Sequence, residues 1–223
     1  MIELTAADHQ RVSDAIAKAE QRSDGEIIAV TAKLSDKYHD VGLQWPILAT
    51  FILLALAATF PGVLERVEVA LFGGWAEPTV QALLTMLLFG SLLIFVLLWL
   101  ALRWMPLRLA LTPTATKTRR VRRRAIDIYK AGAERRTIGR TGILIYLSMG
   151  EHRAEIVHDD AITEAVEPEV WAEAMAALLG PVKEGRVTDG ICAAIHEIGL
   201  VLEEHFPKSS EDTNEIPDKL IEL

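Results

Sequence analysis

Two long runs of the chain contain no charged side chain, and they dominate its hydrophobic pattern. The first extends from Val41 to Leu64 and the second from Pro78 to Leu102, and both are rich in Leu, Ile and Phe. Each is close to the roughly 20 apolar residues that a helix needs to cross a bilayer. We predict a transmembrane hairpin over residues 41–103, with spans at about 43–64 and 80–102 and a short outer loop. The alternative is a pair of buried core helices, which rarely run this long without a charge.

Outside these runs, the apolar positions follow helical spacing in some segments and strand spacing in others. Helices are predicted near residues 5–22, 112–132, 168–180 and 188–206, and strands near residues 26–34, 143–148 and 153–157. This order predicts one α/β domain, formed by residues 1–40 and 104–207 and interrupted by the hairpin. An acidic tail over residues 208–223 would follow it.

Charge is distributed unevenly around the hairpin, and this predicts the orientation of the chain in a membrane. Between Arg103 and Arg140 there are twelve Lys or Arg and two acidic residues, although the whole chain has a net charge of −8. Cytoplasmic loops of membrane proteins are enriched in Lys and Arg. We therefore expect a multi-pass inner-membrane protein with both termini and the α/β domain in the cytoplasm. The N-terminus also lacks the pattern of a signal peptide.

A basic helix is predicted directly after the second span. Its apolar positions Val121, Ala125 and Tyr129 share one face, and basic residues cover the remaining surface: Lys117, Arg119, Arg120, Arg122, Arg123 and Arg124. Basic segments beside a membrane attract anionic lipid headgroups, at about 1 kcal/mol per charge. We therefore predict binding to membrane lipids. Nucleic acid is the competing partner, and we do not assign it because no recognised reader motif accompanies the charge.

Candidate metal ligands occur at the ends of the predicted strands. Asp159 and Asp160 are adjacent carboxylates after the third strand, and Glu26 begins the first. Ca²⁺ and Mg²⁺ prefer oxygen ligands, and Ca²⁺ takes about six to eight of them. We therefore name Asp159, Asp160 and Glu26 as candidate ligands for Ca²⁺ or Mg²⁺. The alternative is a solvated acidic turn without a cation.

The segment from Arg140 to Ile162 resembles the TPM domain family, which includes thylakoid lumen proteins of photosystem repair and many bacterial membrane proteins without assigned function. The similarity consists of a Thr-Gly pair, an aliphatic strand, a tight turn, a second strand and an acidic residue. Residues 23–30, 185–190 and 202–207 resemble further parts of its membrane-protein branch.

This resemblance implies an α/β/α sandwich with a small central sheet and a divalent-cation site at the strand ends. It also implies a phosphatase activity of the kind proposed for some plant members. Asp159 occupies the position of the family's acidic residue, which precedes a Gly-Ile or Gly-Leu pair. Here Ala161 replaces that glycine, so the close backbone turn is altered.

These observations favour a non-catalytic function, namely a membrane-tethered interaction or scaffold module with an unknown protein partner. The alternative is a membrane-anchored, metal-dependent phosphatase. No catalytic residue is assigned, because the sequence has neither a nucleophile loop of cysteine and arginine nor a His and Asp cluster at metal-pair spacing. Gly90 and Ser91 in the second span would let two helices approach closely, and a homo-oligomer is left open.

Overall fold

The computed structural model describes residues 4–73, 79–132, 141–209 and 217–223. The chain forms two compact units, one from residues 1–36 and 115–223 and the other from residues 37–114. The helical unit is therefore inserted into the sequence of the other unit. It extends past the predicted boundary at residue 103, because a short additional helix follows the second apolar helix.

The helices, in chain order, are α1 Ala6–Glu20, α2 Val41–Thr59, α3 Pro61–Phe72, α4 Val80–Ala101, α5 Met105–Ala110, α6 Thr114–Gly132, α7 Asp160–Ala165, α8 Trp171–Lys183 and α9 Val187–His205. A short 3-10 helix at Pro168–Val170 precedes α8. The strands are β1 Glu26–Ala32, β2 Gly142–Ser148, β3 Arg153–His158 and β4 Leu220–Glu222. The chain is therefore mixed α/β, as the hydrophobic pattern predicted.

A four-stranded mixed sheet with the order β3-β2-β1-β4 organises the first unit. β1 pairs in parallel with β2, in a register that places Glu26 opposite Gly142, and β3 runs antiparallel to β2. Every residue of β1 and β2 is buried. This agrees with their nearly continuous apolar sequences, since parallel strands covered on both faces need no alternating pattern.

Helices pack on both faces of this sheet. Ile27, Ala29 and Ile145 belong to the core that includes buried side chains of α1, α8 and α9. Ile28 and Leu144, on the opposite face, belong to a smaller core with Val121, Ala125 and Tyr129 of α6. The alternation follows from strand geometry, in which successive side chains point to opposite faces.

The C-terminal segment differs from the prediction. Leu220–Glu222 is not part of a separate acidic tail but forms β4, which pairs in parallel with residues Ala29 to Thr31 of β1. Leu220 is buried in the core beneath α1. Three residues are too short for a strand to be recognised from their own pattern, and β4 depends on pairing with β1. Residues 210–216 of the predicted tail lie outside the described residues.

In the second unit, α2 and α4 are long and apolar enough, by length and composition, to cross a membrane. Only 17% of the apolar stretch of α2 and 6% of that of α4 is buried. α2 ends at Thr59, before the predicted Leu64, because Pro61 cannot continue the hydrogen-bond ladder and instead begins α3. Residues 74–78 of the predicted outer loop lie outside the described residues.

Arg108 in α5 links the two ends of the helical unit. Its side chain is buried, and its guanidinium donates to the Leu102 carbonyl oxygen at 2.9 Å and to the Lys37 carbonyl oxygen at 2.6 Å. Leu102 caps the C-terminus of α4, where a helix carries partial negative charge. The guanidinium therefore hydrogen-bonds one carbonyl group at the start of the helical unit and one at the end of α4.

Candidate functional site

Two of the three predicted cation ligands lie at the same edge of the sheet. Glu26 is the first residue of β1, opposite Gly142 of β2, and Asp159 directly follows β3. The Gly142 N–H donates to an Asp159 carboxylate oxygen at 3.2 Å, and the Asp159 N–H donates to the Gly142 carbonyl oxygen at 3.2 Å. Glu26 and Asp159 are both buried, whereas Asp160 is exposed as the first residue of α7.

Gly142 is the centre of this edge. Its carbonyl oxygen also accepts a hydrogen bond from the Tyr129 hydroxyl at 3.0 Å. A Cβ atom added to Gly142 would lie 2.6 Å from that hydroxyl oxygen, so only glycine fits between β2 and α6 here. Gly142 thus joins the start of β2 to α6 through the Tyr129 hydroxyl and to the residue after β3 through the Asp159 carboxylate.

The carboxylate of Asp159 has a structural contact, because it accepts a hydrogen bond from the Gly142 N–H. Among the residues that the structure describes, no three His, Cys, Asp or Glu side chains are grouped so that they could hold a metal ion. A Ca²⁺ or Mg²⁺ site, and the phosphatase that would depend on it, stay predictions.

Glu20 is a buried carboxyl group at the same edge that sequence reasoning missed. It is the last residue of α1, and its Oε1 accepts a hydrogen bond from the Ile27 N–H at 2.8 Å. Burial raises the pKa of Glu20 to about 9, the Ile27 N–H opposes that change, and the carboxylates of Glu26 and Asp218 add to it. The available signal was position, since Glu20 continues the buried stripe of Val12 and Ile16 at a spacing of four.

Glu151, in the turn between β2 and β3, is a second buried carboxylate at the opposite edge of the sheet. It accepts hydrogen bonds from the Ser148 hydroxyl and, at 2.9 Å, from the Ser35 N–H. The Ser35 and Tyr146 hydroxyls are 3.0 Å apart, and burial raises the pKa of Tyr146. This network fixes the segment after β1 to the β2–β3 turn. The sequence around Glu151 gave no sign of it beyond a turn.

The predicted lipid-binding residues all lie on α6, but they do not form one uniform surface. Arg120 forms an ion pair with Asp36 at 3.2 Å, and its side chain is only 18% exposed. Lys117 is half-buried. Arg119, Arg122, Arg123 and Arg124 are exposed, and within the described ranges none of these four forms an ion pair.

Comparison with known proteins supports the fold alone. No family model matches the chain, and no curated protein matches it. A solved structure, the NMR structure of BA42 protein from the psychrophilic bacterium Bizionia argentinensis sp. nov., is similar over 100% of this chain and 97% of that chain. The TM-score is 0.58 and the sequence identity is 18%.

We predict that Glu20→Gln reduces the pH dependence of stability. The pKa of Glu20 is about 9 in the folded chain, whereas an ordinary glutamate has a pKa of about 4.5, so between these pH values the folded state binds a proton that the unfolded state lacks. The contribution of Glu20 to the free energy of unfolding is fully present below about pH 4.5 and is lost as the pH rises towards about 9. Glutamine carries no such proton. The free energy of unfolding can be measured across this pH range in detergent by hydrogen exchange of the β1 and β2 amides. It should decline less steeply with pH in the variant than in the wild type.

At pH 8 the variant should therefore be more stable than the wild type, and near pH 4.5 the two should be similar. Glu203→Gln is the control, because Glu203 is an exposed residue of α9. Equal pH dependence in wild type and Glu20→Gln would contradict the assignment of a protonated Glu20.

A second prediction separates the structural role of Asp159 from cation binding. Asp159→Ala leaves the buried Gly142 N–H without that acceptor and should destabilise the domain by about 1 to 3 kcal/mol. Asp160→Ala, at an exposed position, should have little effect. Thermal unfolding of both variants and the wild type is measured with chelator, with Ca²⁺ and with Mg²⁺.

We expect the loss in Asp159→Ala to be the same in all three conditions. A saturable, metal-dependent stabilisation of the wild type that disappears in Asp159→Asn would instead support the cation site and justify a phosphatase assay.

Proposed function

We propose that this chain is an integral membrane protein in which α2 and α4 form a transmembrane hairpin. The single observation that carries the proposal is the exposure of these two helices, whose apolar side chains have no protein to cover them over most of their length. Examples are Phe51, Ile52, Leu88, Phe89 and Leu92, all at least half exposed. Soluble proteins rarely expose apolar patches of this extent, whereas a bilayer would cover them.

The α/β domain and both termini are assigned to the cytoplasmic side of an inner membrane. Support comes from the basic residues that follow α4, from Arg103 to Arg124. In the segment between α2 and α4, by contrast, Glu65 and Glu68 of α3 outnumber Arg66. The enrichment of Lys and Arg in cytoplasmic loops favours this orientation over its inverse.

The domain itself is proposed to be a TPM-like α/β/α sandwich that acts as a non-catalytic interaction module. Helices on both faces of the sheet and the fold-level similarity to BA42 support the architecture. The non-catalytic role is supported by the structural use of buried acidic side chains, since Glu20, Asp159 and Glu151 each accept a hydrogen bond from a backbone N–H. Membrane tethering would concentrate the domain near partners at the same surface.

We predict that Leu92→Lys prevents stable membrane insertion. Leu92 lies near the middle of α4, and a charged residue at the centre of a transmembrane helix costs about 2.5 to 3.5 kcal/mol on insertion scales. The fraction of chain that resists alkaline carbonate extraction from bacterial membranes should fall sharply. Leu200→Lys is the matched control, because Leu200 is 44% exposed on α9 and Leu92 is 55% exposed.

Both substitutions would be harmless if the chain were water-soluble, so equal behaviour of the two variants would contradict the hairpin.

The same cells test the orientation. With Cys192→Ser as background and Lys183→Cys on the exposed surface of α8, a membrane-impermeant maleimide should react only after the inner membrane is broken. Reaction in intact spheroplasts would reverse the proposed orientation.

The interaction role is tested by chemical crosslinking in the same membranes. Protein crosslinks to the domain should persist in the presence of chelator and in the Asp160→Ala variant, because the proposed role needs no cation. Their loss with chelator, together with chelator-sensitive hydrolysis of a phosphate ester by the purified chain, would favour the phosphatase over the interaction module.

A further inference from the structure

We propose that the outward side of α6 binds the phosphate groups of anionic phospholipids in the membrane that holds α2 and α4. This surface, called the arginine face below, is formed by Arg119, Arg122, Arg123 and Arg124. The inference rests on the proposed membrane anchoring and adds a lipid-binding site to it.

The packing of α6 decides how such a contact could form. Val121, Ala125 and Tyr129 point into the core against the sheet and are almost completely buried. Interfacial amphipathic helices insert their apolar side into the acyl region, but the apolar side of α6 is not available for this because it packs against the sheet. Only the polar side remains, so the contact with lipid is electrostatic and takes place at the headgroups.

Ion pairing and burial reduce the candidate lipid-binding residues on α6 from the six predicted basic residues to four. Asp36 already compensates Arg120, and Lys117 is half-buried. Burial raises the pKa of Glu155, and the nearby Arg122 guanidinium opposes that change, so Arg122 already faces one acidic side chain. Arg119 and Arg123 are one turn apart on the same side of the helix, and both are exposed. These two residues are expected to contribute most.

Charge complementarity favours this face over the rest of the domain. α6 contains seven basic residues and one acidic residue, whereas the whole chain has a net charge of −8. The remaining surface is therefore strongly acidic and would be repelled by an anionic membrane. Arginine suits the partner because its guanidinium group binds phosphate through two parallel hydrogen bonds.

Chain connectivity adds to the attraction. Residues 102–113 are all that separates α4 from α6 along the sequence. A bilayer that holds α4 is thus present at a high effective concentration for α6. Binding of the arginine face therefore needs to supply only the preference for anionic lipid. Each basic side chain near such a surface typically raises the binding constant about fivefold.

The test uses the full chain reconstituted into vesicles of phosphatidylcholine, with or without phosphatidylglycerol. Cys192→Ser removes the native thiol, and Ala131→Cys places a label on an exposed, uncharged position of α6. An impermeant donor dye then marks only domains outside the vesicle, and energy transfer to an acceptor lipid reports their approach to the bilayer. We expect transfer to rise with phosphatidylglycerol, and this rise to disappear in molar salt, where the Debye length is about 3 Å.

Arg119→Gln with Arg123→Gln should lower the ratio of docked to undocked domain about 25-fold, from two charges at about fivefold each. Lys18→Gln with Lys183→Gln is the matched control, because it removes the same charge from exposed positions on α1 and α8 and should leave the rise unchanged. Arg119→Lys with Arg123→Lys should retain most of the rise. Unchanged thermal unfolding of the glutamine variant would show that it is folded.

An equal rise in the wild type and the Arg119→Gln, Arg123→Gln variant would overturn the inference, as would an equal loss in the lysine control. Tight binding of an RNA or duplex oligonucleotide through Arg119 and Arg123, without dependence on phosphatidylglycerol, would also overturn it and assign the face to nucleic acid. Failure of the chain to float with the vesicles is a different result, because it would contradict the membrane anchoring itself.

Discussion

The parallel pairing of β1 with β2 is the constraint on which the rest of the domain depends. It joins a strand that precedes the helical unit to one that follows it, over seven residue pairs from Glu26–Gly142 to Ala32–Ser148. Both strands are buried on both faces, so they need α6 on one side and α1, α8 and α9 on the other. Neither half of the domain sequence can bury its strand without the other half.

This pairing also explains how a helical unit can be accommodated within the domain sequence. Parallel strands already require a long crossover connection, and here the connection contains α2 to α6. Lengthening such a connection adds little conformational entropy cost, because that cost rises only logarithmically with length. The segment after β1 is held in place because the Ser35 N–H donates a hydrogen bond to the Glu151 carboxylate. The start of the connection is therefore fixed within the domain.

Three buried acids of the domain, Glu20, Asp159 and Glu151, each accept a hydrogen bond from a backbone N–H. Asp159 attracts attention because it stands next to Asp160, yet its carboxylate accepts a hydrogen bond from Gly142, and Asp160 is exposed. Glu20 and Glu151 have no acidic neighbour in sequence and are more deeply integrated into the fold. A buried backbone N–H without an acceptor is costly, so a carboxylate that satisfies one contributes to stability without any reaction.

Sequence periodicity by itself determined the two apolar helices, β1 to β3 and the apolar side of α6, because each depends on spacing within one segment. The sequence also named Glu26 and Asp159, but it could not show that both adjoin Gly142. Tertiary structure alone decided the short β4, which exists only by pairing with β1, and the burial of Glu20 and Glu151. It also decided which arginines of α6 remain exposed, since Asp36 lies far from Arg120 in sequence. Spacing fixes which residues share a face, whereas burial and charge pairing depend on what folds against that face.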